Sequence, residues 1–260
     1  MIEAPELARL RAVAAEAAEA GADVVRRRAG ESAPEAEAKG RGDYVTAVDR
    51  ESEETVRAAL ERATPGIPVL GEEGGGGGGD TYWAVDPLDG TTNFLLGFPV
   101  VGVSIALVSG GRPAAAAVRA PLLGLAFTAA REQGAWSGER RLAVSGRPAS
   151  RAVVATGFPF RAKQRLPRYL RAMTSVLERV EDLRRPGAAS LDLAWVAAGV
   201  FDGFFELGLA VWDVAAGALL VEEAGGIVTD WDGGPGYLGG NILAGSPATH
   251  RVLAEAAETR

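Results

Sequence analysis

The sequence predicts a protein of the α+β class, and three observations lead to that prediction. Apolar residues at helical spacing dominate the chain up to residue 63. Residues 100–130 then carry only strand patterns, VVGVSIALV, PAAAAVRAP and GLAFTAA, with glycine and proline turns between them. After residue 150, strands and helices alternate. Helices and strands in this order are typical of the α+β class.

The N-terminal region contains two predicted helices. Small and apolar residues at helical spacing predict an amphipathic helix over 6–29, and the polar stretch 30–42 predicts a loop. Thr46 followed by Asp49 fits a capping box, in which a hydroxyl and an acid satisfy the first free N–H groups of a helix. We therefore expect the second helix to begin at this pair.

Two short apolar runs end in acidic residues. Residues 67–70 predict a buried strand that is followed by Glu72, and residues 82–85 predict a second strand that is followed by Asp86 and Asp89. Side chains at the ends of neighbouring strands converge on a shared edge, where functional groups concentrate. These acids are therefore candidates for one site.

The second half predicts alternating elements, and glycines follow two of its helices, as is common at helix C-termini. The predicted elements are a hairpin-like piece at 134–147, strands at 151–158, 200–207, 227–230 and 241–244, helices at 165–181, 190–198 and 214–224, and a short terminal helix.

A length of 260 residues suits one large domain or two tightly fused halves. We take residues 1–145 as an N-terminal α+β half that carries most of the acidic candidates. Residues 146–260 form a C-terminal α/β half that carries Asp213 and the residues of a substrate pocket. No internal repeat relates the two halves.

Composition excludes several kinds of chemistry. The chain has no Cys and a single His, His250, so disulfides, cysteine nucleophiles, Ser-His-Asp triads and His-ligated metals are all excluded. We expect His250 on the surface of the terminal helix. A net charge of −7 gives no sign of a nucleic-acid or membrane partner. No apolar run is long enough to span a membrane and the N-terminus is unlike a signal peptide, which predicts a cytoplasmic protein.

Four acidic spots stand out by their position. Glu72 with Glu73 and the pair Asp86 and Asp89 follow buried strands, Asp213 precedes a buried helix, and Asp43 and Asp49 flank a helix start. Each has an ordinary explanation by itself: a solvated loop for Glu72, a turn for the Asp86–Asp89 pair and an N-cap for Asp213. Uncompensated burial of all four would be costly, and divalent cations would remove that cost. Carboxylates, hydroxyls and a carbonyl oxygen are hard ligands, which favours Mg²⁺ or Mn²⁺ over zinc.

The stretch VDPLDGTTNF at 85–94 combines this metal site with an anion site. Pro87 stiffens the turn between the two acids, so that they can bracket two ions about 3.5–4 Å apart. Gly90 allows the backbone to approach an anion, and the N–H groups of Gly90 and Thr91 open a helix. The stretch therefore predicts a phosphate-binding site beside the metals.

Several segments resemble the inositol monophosphatase family, within the superfamily that includes fructose-1,6-bisphosphatase. The two long motifs together are highly specific, and the resemblance covers nearly the whole chain. The matching segments are WAVDPLDGTTNF at 83–94, WDVAAG at 212–217 with EAGG at 223–226, GEE at 71–73 and DYVTAVD at 43–49.

The resemblance implies a fold, a reaction and a set of site residues. The family fold is a layered α-β-α-β-α sandwich, usually dimeric, and its members are typically Mg²⁺-dependent, lithium-sensitive phosphatases with two or three ions, which Mn²⁺ can replace. The implied metal ligands are Glu72, Asp86, the Leu88 carbonyl, Asp89 and Asp213. The implied substrate contacts are Gly90, Thr91, Ala188, Glu206 and Asp213. Thr91 with Asp49 would activate the attacking water, and Glu72 is a competing candidate for that role.

The identity of the alcohol stays open at this stage. A small polyol phosphate such as inositol 1-phosphate is our first expectation. Fructose 1,6-bisphosphate, histidinol phosphate and a 3′-phosphonucleotide are alternatives, and a cation-binding module without catalysis is a remote one. Arg161, Lys163 and the pair Arg184 and Arg185 are expected on the surface, and would favour a bisphosphate if they lined the pocket.

Two departures from the family pattern bear on the pocket and on the metal loop. Family members usually carry a hydroxyl residue where Pro186 stands, which affects substrate contacts near 186–189. The six glycines at 74–79 are also unusual, and we expect them to leave the Glu72 loop loose without metal.

Overall fold

The protein is described by a computed structural model that covers residues 2–30, 36–40, 43–160 and 162–258. Arg161 and parts of the predicted 30–42 loop lie outside the described residues. Within the described ranges, no helix combines the length and the apolar character that a membrane span requires.

The helices and strands follow the predicted order. The α-helices are α1 (Ala4–Arg28), α2 (Ala47–Ala63), α3 (Thr91–Leu95), α4 (Leu166–Leu177), α5 (Ala189–Ala197), α6 (Val211–Glu223) and α7 (Pro247–Ala257). The strands are β1 (Ala36–Gly40), β2 (Asp43–Thr46), β3 (Val69–Gly71), β4 (Thr81–Asp89), β5 (Gly102–Ser109), β6 (Arg112–Ala120), β7 (Leu125–Ala130), β8 (Ala135–Ser137), β9 (Arg140–Arg141), β10 (Val153–Thr156), β11 (Asp182–Arg184), β12 (Gly203–Leu207), β13 (Ile227–Thr229) and β14 (Asn241–Gly245).

Two sheets organise the described part of the molecule. The larger has seven strands in the order β3-β4-β5-β6-β7-β8-β9, and apart from the parallel β3–β4 pair its strands run antiparallel. The smaller has five strands in the order β11-β10-β12-β14-β13. Strands β1 and β2 form a separate hairpin-like pair.

Helices cover both faces of each sheet and complete five layers. α1 and α2 pack on the outer face of the seven-stranded sheet, α5 and α6 lie between the two sheets, and α4 and α7 cover the outer face of the five-stranded sheet. Strand β12 illustrates the division, because Phe204 faces the central helices while its neighbour Phe205 faces α4 and α7. The predicted α-β-α-β-α sandwich is confirmed.

One apolar core joins the two sheets through the central helices. It combines alanines of β5 and β6 with α5, α6 and Phe204 of β12. Gly217 of α6 makes this packing close, since a Cβ there would lie 2.4 Å from the Cβ of Leu193. The boundary between residues 145 and 146 stays a prediction.

Three details differ from the sequence-based expectations. Residues 36–40, expected in a loop, pair with β2, because backbone pairing does not require an apolar pattern. Strand β11 was not predicted, since Asp182–Arg184 are mostly exposed at a sheet edge and carry no strand pattern. His250 lies on α7 as expected, but it is buried, with its Nε2 atom 2.9 Å from the Thr229 hydroxyl.

Candidate metal and phosphate site

Three carboxylates from separate elements converge at one point. Glu72 follows β3, Asp86 lies in β4 and Asp213 lies in the first turn of α6. One oxygen of each lies within 4.8 Å of the others. The convergence follows from topology, because β3 and β4 run parallel and end together while α6 begins against the same edge.

The electrostatics of this cluster fit a divalent cation. Asp86 is only 1% exposed, and burial raises its pKa well above the ordinary value, with further increases from Glu72, Asp89 and Asp213. Like charges this close cannot all ionise without a compensating cation. Carboxylate oxygens in this number are ligands that Mg²⁺ accepts. The residues present therefore fit Mg²⁺, and Glu72, Asp86 and Asp213 are those that would hold it.

A β-bulge explains how Asp86 and Asp89 come to share a site. In a regular strand, residues three apart point to opposite faces. Here Asp86 pairs with Ser104 and Asp89 with Gly102. The two acids are three residues apart in β4, whereas their partners are two residues apart in β5, so β4 contains one extra residue. The extra residue turns the second acid back to the side of the first. Pro87 lies in the bulge, where its missing N–H costs no ladder bond.

Asp89 is held by the N-terminus of α5 rather than by the cluster of three. Its Oδ2 atom accepts hydrogen bonds from the backbone N–H of Ser190 at 2.7 Å and from the Ser190 hydroxyl at 2.6 Å. Burial raises the pKa of Asp89 to about 6, although these bonds oppose the shift. Asp89 remains a predicted ligand beside the group of three.

Gly90 follows Asp89 in a conformation that favours glycine. Its φ is +91°, and a Cβ there would meet the Val100 carbonyl oxygen at 3.0 Å. Helix α3 then begins at Thr91, as predicted. Both residues line the same cavity as the acids. The backbone is therefore free to approach an anion beside the carboxylates.

The predicted Thr91–Asp49 contact is present. The Thr91 hydroxyl lies 3.0 Å from Oδ1 of Asp49 and 3.1 Å from the Leu88 carbonyl oxygen. The other oxygen of Asp49 accepts from the Thr46 backbone N–H at 2.8 Å, which confirms the capping box. Burial raises the pKa of Asp49, and the hydrogen bonds from Thr46 and Thr91 oppose that shift. Asp49 is therefore an acid tied directly to the Thr91 hydroxyl.

The residues predicted to contact the alcohol line the rest of this cavity, whose volume is about 460 Å³. Ala188 lies at the start of α5 and Glu206 in β12. Gly157 makes room for the acid, because a Cβ there would lie 2.1 Å from Oε2 of Glu206. The carboxylates and Glu206 therefore line one cavity.

Arg161 lies outside the described residues, and the other three basic residues do not share one environment. Arg184 is exposed and pairs with Asp182, as expected for a surface cation. Arg185 instead lines the cavity, with its guanidinium carbon 5.8 Å from the ring centre of Phe158 and 5.5 Å from that of Phe160. Lys163 is exposed outside it. Arg185 is thus exposed, as expected, and it also contributes to the cavity, where the two aromatic rings support its guanidinium.

Sequence reasoning missed the residue that holds the Glu72 loop. Glu53 of α2 is 3% exposed, and its carboxylate accepts hydrogen bonds from the backbone N–H groups of Glu73 and Gly74, both at 2.8 Å. Arg57, one turn later, bonds to Glu53 at 3.0 Å and to the Gly75 carbonyl oxygen at 3.1 Å. The spacing of an acid and an arginine four apart was the available signal, but it usually marks a surface pair.

The pair Glu53 and Arg57, called the clamp below, requires glycine at the positions that pack against it. A Cβ at Gly71 would lie 2.4 Å from the Glu53 carboxylate, and one at Gly74 would lie 2.6 Å from it. The Gly71 N–H also donates to the Gly75 carbonyl oxygen at 2.9 Å. Hydrogen bonds to Glu53 and Arg57 therefore tie residues 73–75 to α2, while the looseness of the loop without metal stays a prediction.

Comparison with known proteins places this geometry in a family. The model of the inositol monophosphatase family matches residues 6–260. The chain is 50% identical over 220 residues to the Nus factor SuhB of Pseudomonas aeruginosa, with 81% of each chain covered. It is 44% identical over 223 residues to an inositol-1-monophosphatase of Mesorhizobium japonicum, with 84% of each covered.

A solved structure gives the same result for the fold. The extragenic suppressor protein suhB of Bartonella henselae is 40% identical and superposes with a TM-score of 0.91, covering 96% of this chain and 98% of the other. The likeness therefore extends over almost the whole of both chains.

The clamp generates a prediction about metal affinity. Glu53→Gln keeps the shape of the side chain but removes the charge that holds the Glu73 and Gly74 N–H groups and Arg57. We expect the Kd for Mg²⁺ to rise about 10-fold or more, since groups that orient metal ligands typically contribute 10–100-fold. The measurement is calorimetric titration with MgCl₂. Glu54→Gln, an exposed neighbour on the same helix, is the matched control. An unchanged Kd in a folded Glu53→Gln variant would show that the loop needs no clamp.

Proposed function

Because the chain belongs to the inositol monophosphatase family, we propose that it is a Mg²⁺-dependent phosphomonoesterase that acts on a small polyol phosphate. The observation that carries this proposal is the convergence of Glu72, Asp86 and Asp213 within 4.8 Å in a cavity that Gly90 and Thr91 also line. A cation-binding module would need the carboxylates but not the anion site next to them.

The protein supplies positions for the ions, the phosphate and the water. Bound Mg²⁺ provides a Lewis acid that neutralises phosphoryl charge and lowers the pKa of water. Glu72, Asp86, Asp89, Asp213 and the Leu88 carbonyl would hold two or three ions. The backbone around Gly90 would donate N–H groups to the phosphate oxygens, fixing the ester for attack from one side.

Proton removal is assigned to the Thr91–Asp49 pair. A hydroxyl is a weak base, but a carboxylate behind it can take up the proton that the hydroxyl passes on. The 3.0 Å contact between the Thr91 hydroxyl and Asp49 provides that arrangement. The raised pKa of Asp49 makes it a better proton acceptor than an ordinary aspartate. Glu72 remains the competing base, because it lines the same cavity as Thr91 and belongs to the carboxylate cluster.

The choice of alcohol depends on the other residues that line the cavity. Glu206 suits an alcohol with free hydroxyl groups and repels a second phosphate. Arg185 acts in the opposite direction and supports the alternative of a bisphosphate such as fructose 1,6-bisphosphate. Histidinol phosphate and a 3′-phosphonucleotide stay alternatives. We favour a singly phosphorylated polyol, with the homodimer and the cytoplasmic location as further parts of the proposal.

A second candidate function comes from the names of relatives. The proteins from Pseudomonas aeruginosa and Escherichia coli that are 50% and 45% identical to this chain are named Nus factor SuhB. A Nus-factor role would make the transcription machinery a partner, which conflicts in part with the expectation of no nucleic-acid partner. Retention of purified RNA polymerase on the immobilised protein tests this candidate, and the activity assay tests the first.

The metal ligands generate the main test of the phosphatase proposal. Asp86→Asn removes a charged ligand from the centre of the cluster, so we expect hydrolysis of inositol 1-phosphate to become undetectable at saturating Mg²⁺. Asp89→Asn and Asp213→Asn should behave alike. The measurement is phosphate release with and without EDTA. Asp80→Asn, an exposed acid next to β4, is the control and should keep wild-type turnover. Near-wild-type turnover in a ligand variant would remove that residue from the metal site.

The proton relay generates a separate prediction. Asp49→Asn should lower kcat by about 10²–10⁴-fold, the usual range for a general base, with little change in KM. Thr91→Ala should lower kcat by a similar factor. The double variant should be hardly slower than either single variant, because residues that act as one unit are not additive. Steady-state kinetics of the two single variants and the double variant distinguish one shared role from two independent roles. Losses in kcat that multiply would indicate independent roles and favour Glu72 as the base.

A further inference from the structure

Arg185 is the only basic side chain among the described residues that line the cavity. Six acids line the cavity as well: Glu72, Asp86, Asp89, Asp192, Glu206 and Asp213. Four of the six are the proposed carboxylate ligands of Mg²⁺, and bound ions would balance their charge. A metal site gains nothing from a guanidinium nearby, because the two charges have the same sign. The presence of Arg185 therefore needs another explanation.

Two aromatic rings hold the guanidinium of Arg185 at the cavity. Its central carbon lies 5.8 Å from the ring centre of Phe158 and 5.5 Å from that of Phe160. The two rings meet edge to face at 5.6 Å, and Phe158 also meets the buried ring of Tyr169 edge to face at 5.7 Å. Contacts with aromatic rings attract a cation and restrict the orientations of a planar guanidinium. Arg185 is exposed, but its charged group is held in one place.

Gly187 places the guanidinium close to the predicted phosphate segment. Its φ is +98°, and a Cβ at this position would lie 2.6 Å from Nη1 of Arg185. The Gly187 carbonyl oxygen also lies 3.4 Å from the position that a Cβ of Gly90 would occupy. A single residue therefore contacts both Arg185 and the backbone that we expect to hold the phosphate. An alcohol of several carbons, attached to that phosphate, spans such a separation.

Arg185 differs from its neighbour in its hydrogen-bond partners. Arg184 pairs with Asp182 and donates to the Leu183 carbonyl oxygen at 2.9 Å. No residue in the described ranges accepts a hydrogen bond from Arg185, whose contacts are with the two rings. A guanidinium carries five N–H donors in a planar fork that matches the two oxygens of a carboxylate. Arg185 thus presents oriented donors at the cavity, and the described part of the protein supplies no acceptor for them.

We propose that Arg185 binds a carboxylate group of the substrate alcohol, so that the substrates of this protein include phosphate esters of sugar acids. This inference rests on the proposed phosphatase function and adds a class of alcohol to it. One guanidinium balances the single charge of a carboxylate, whereas a second phosphate would bring a charge of about −1.5 to −2 into a cavity that is already acidic. The hydroxyl groups of a sugar acid keep the contact with Glu206 that the proposed function assigns.

The test compares two esters that differ only in one carboxylate. The acid, 6-phosphogluconate, carries a carboxylate where the polyol, glucitol 6-phosphate, carries a hydroxymethyl group. Both are assayed for phosphate release on the whole protein at saturating Mg²⁺, and the readout is the ratio of kcat/KM for the acid to kcat/KM for the polyol. In Arg185→Gln, which loses the charge and the fork, this ratio should fall about 10-fold. That is the lower end of the range for a hydrogen bond to a charged group, because the guanidinium keeps contact with water.

Three further variants separate a specific contact from general effects. Arg184→Gln removes an equal charge one residue away, from a side chain that does not line the cavity, and should leave the ratio unchanged. Arg185→Lys keeps the charge without the planar fork, so the ratio should fall less than in Arg185→Gln. Phe160→Leu removes one supporting ring, at a side chain that is 51% exposed, and the ratio should fall here too. An equal fall in Arg184→Gln would show a long-range effect of charge and overturn the proposed contact.

A second pair of esters tests the choice of a carboxylate over a phosphate. Fructose 1,6-bisphosphate and fructose 1-phosphate differ by one phosphate group, and the readout is again the ratio of their kcat/KM values. A fall in Arg185→Gln that is confined to this pair would assign a second phosphate to Arg185 and overturn the carboxylate.

The outcomes distinguish this inference from the proposed function. Hydrolysis of glucitol 6-phosphate by the wild type, with an acid-to-polyol ratio that falls in Arg185→Gln, supports both. A wild type that hydrolyses glucitol 6-phosphate but not 6-phosphogluconate, or a ratio that Arg185→Gln leaves unchanged, overturns the role of Arg185 and keeps the phosphatase. A wild-type protein that hydrolyses none of the four esters overturns the proposed function, and the inference with it.

Discussion

Mutual repulsion among buried carboxylates is the constraint on which the rest of this structure depends. Asp86 is almost fully buried, and Glu72, Asp89 and Asp213 all raise its pKa. A fold that brings these acids together gives up stability at the site, as proteins commonly do where function requires it. A divalent cation reverses the sign of the local field, so the same geometry that destabilises the metal-free protein becomes a binding site. The role proposed for the anion site follows, since bound cations attract a phosphate.

The fold orients the acids of the site with backbone donors. The Leu88 N–H donates to Oδ1 of Asp86 at 3.0 Å, and the Ala210 N–H donates to Oδ2 of Asp213 at 2.7 Å. Asp89 is fixed in the same way by Ser190. Such bonds hold a carboxylate in place without neutralising its charge. The seven-stranded sheet supplies Asp86 and Asp89, the central helices supply Asp213 and the donor for Asp89, and the site therefore forms only when the layers are assembled.

Local features of the site could be predicted from the sequence, whereas features made by packing could not. The capping box at Thr46 and Asp49 and the helix start after Gly90 depend on a few neighbouring residues, and both were predicted correctly. The grouping of Glu72 with Asp86 followed from two short strands that end in acids. Glu53 carried no comparable signal, because it looks like an ordinary helix-surface acid until tertiary packing buries it. His250 was misplaced for the same reason.

The most direct test of the central claim is the stability of the protein as a function of pH, with and without Mg²⁺. Folding raises the pKa of Asp86 above the ordinary 3.8 and that of Asp89 to about 6. At pH values between the unfolded and the folded pKa of each group, the folded state therefore holds more protons than the unfolded state. The contribution of the cluster to stability must therefore fall as pH rises through that window. We expect the Tm difference between wild type and Asp86→Asn to become more unfavourable to the wild type from pH 5 to pH 8 in EDTA, and Mg²⁺ to raise the wild-type Tm more at pH 8 than at pH 5. A Tm difference that is independent of pH, with no effect of Mg²⁺ at pH 8, would contradict the account.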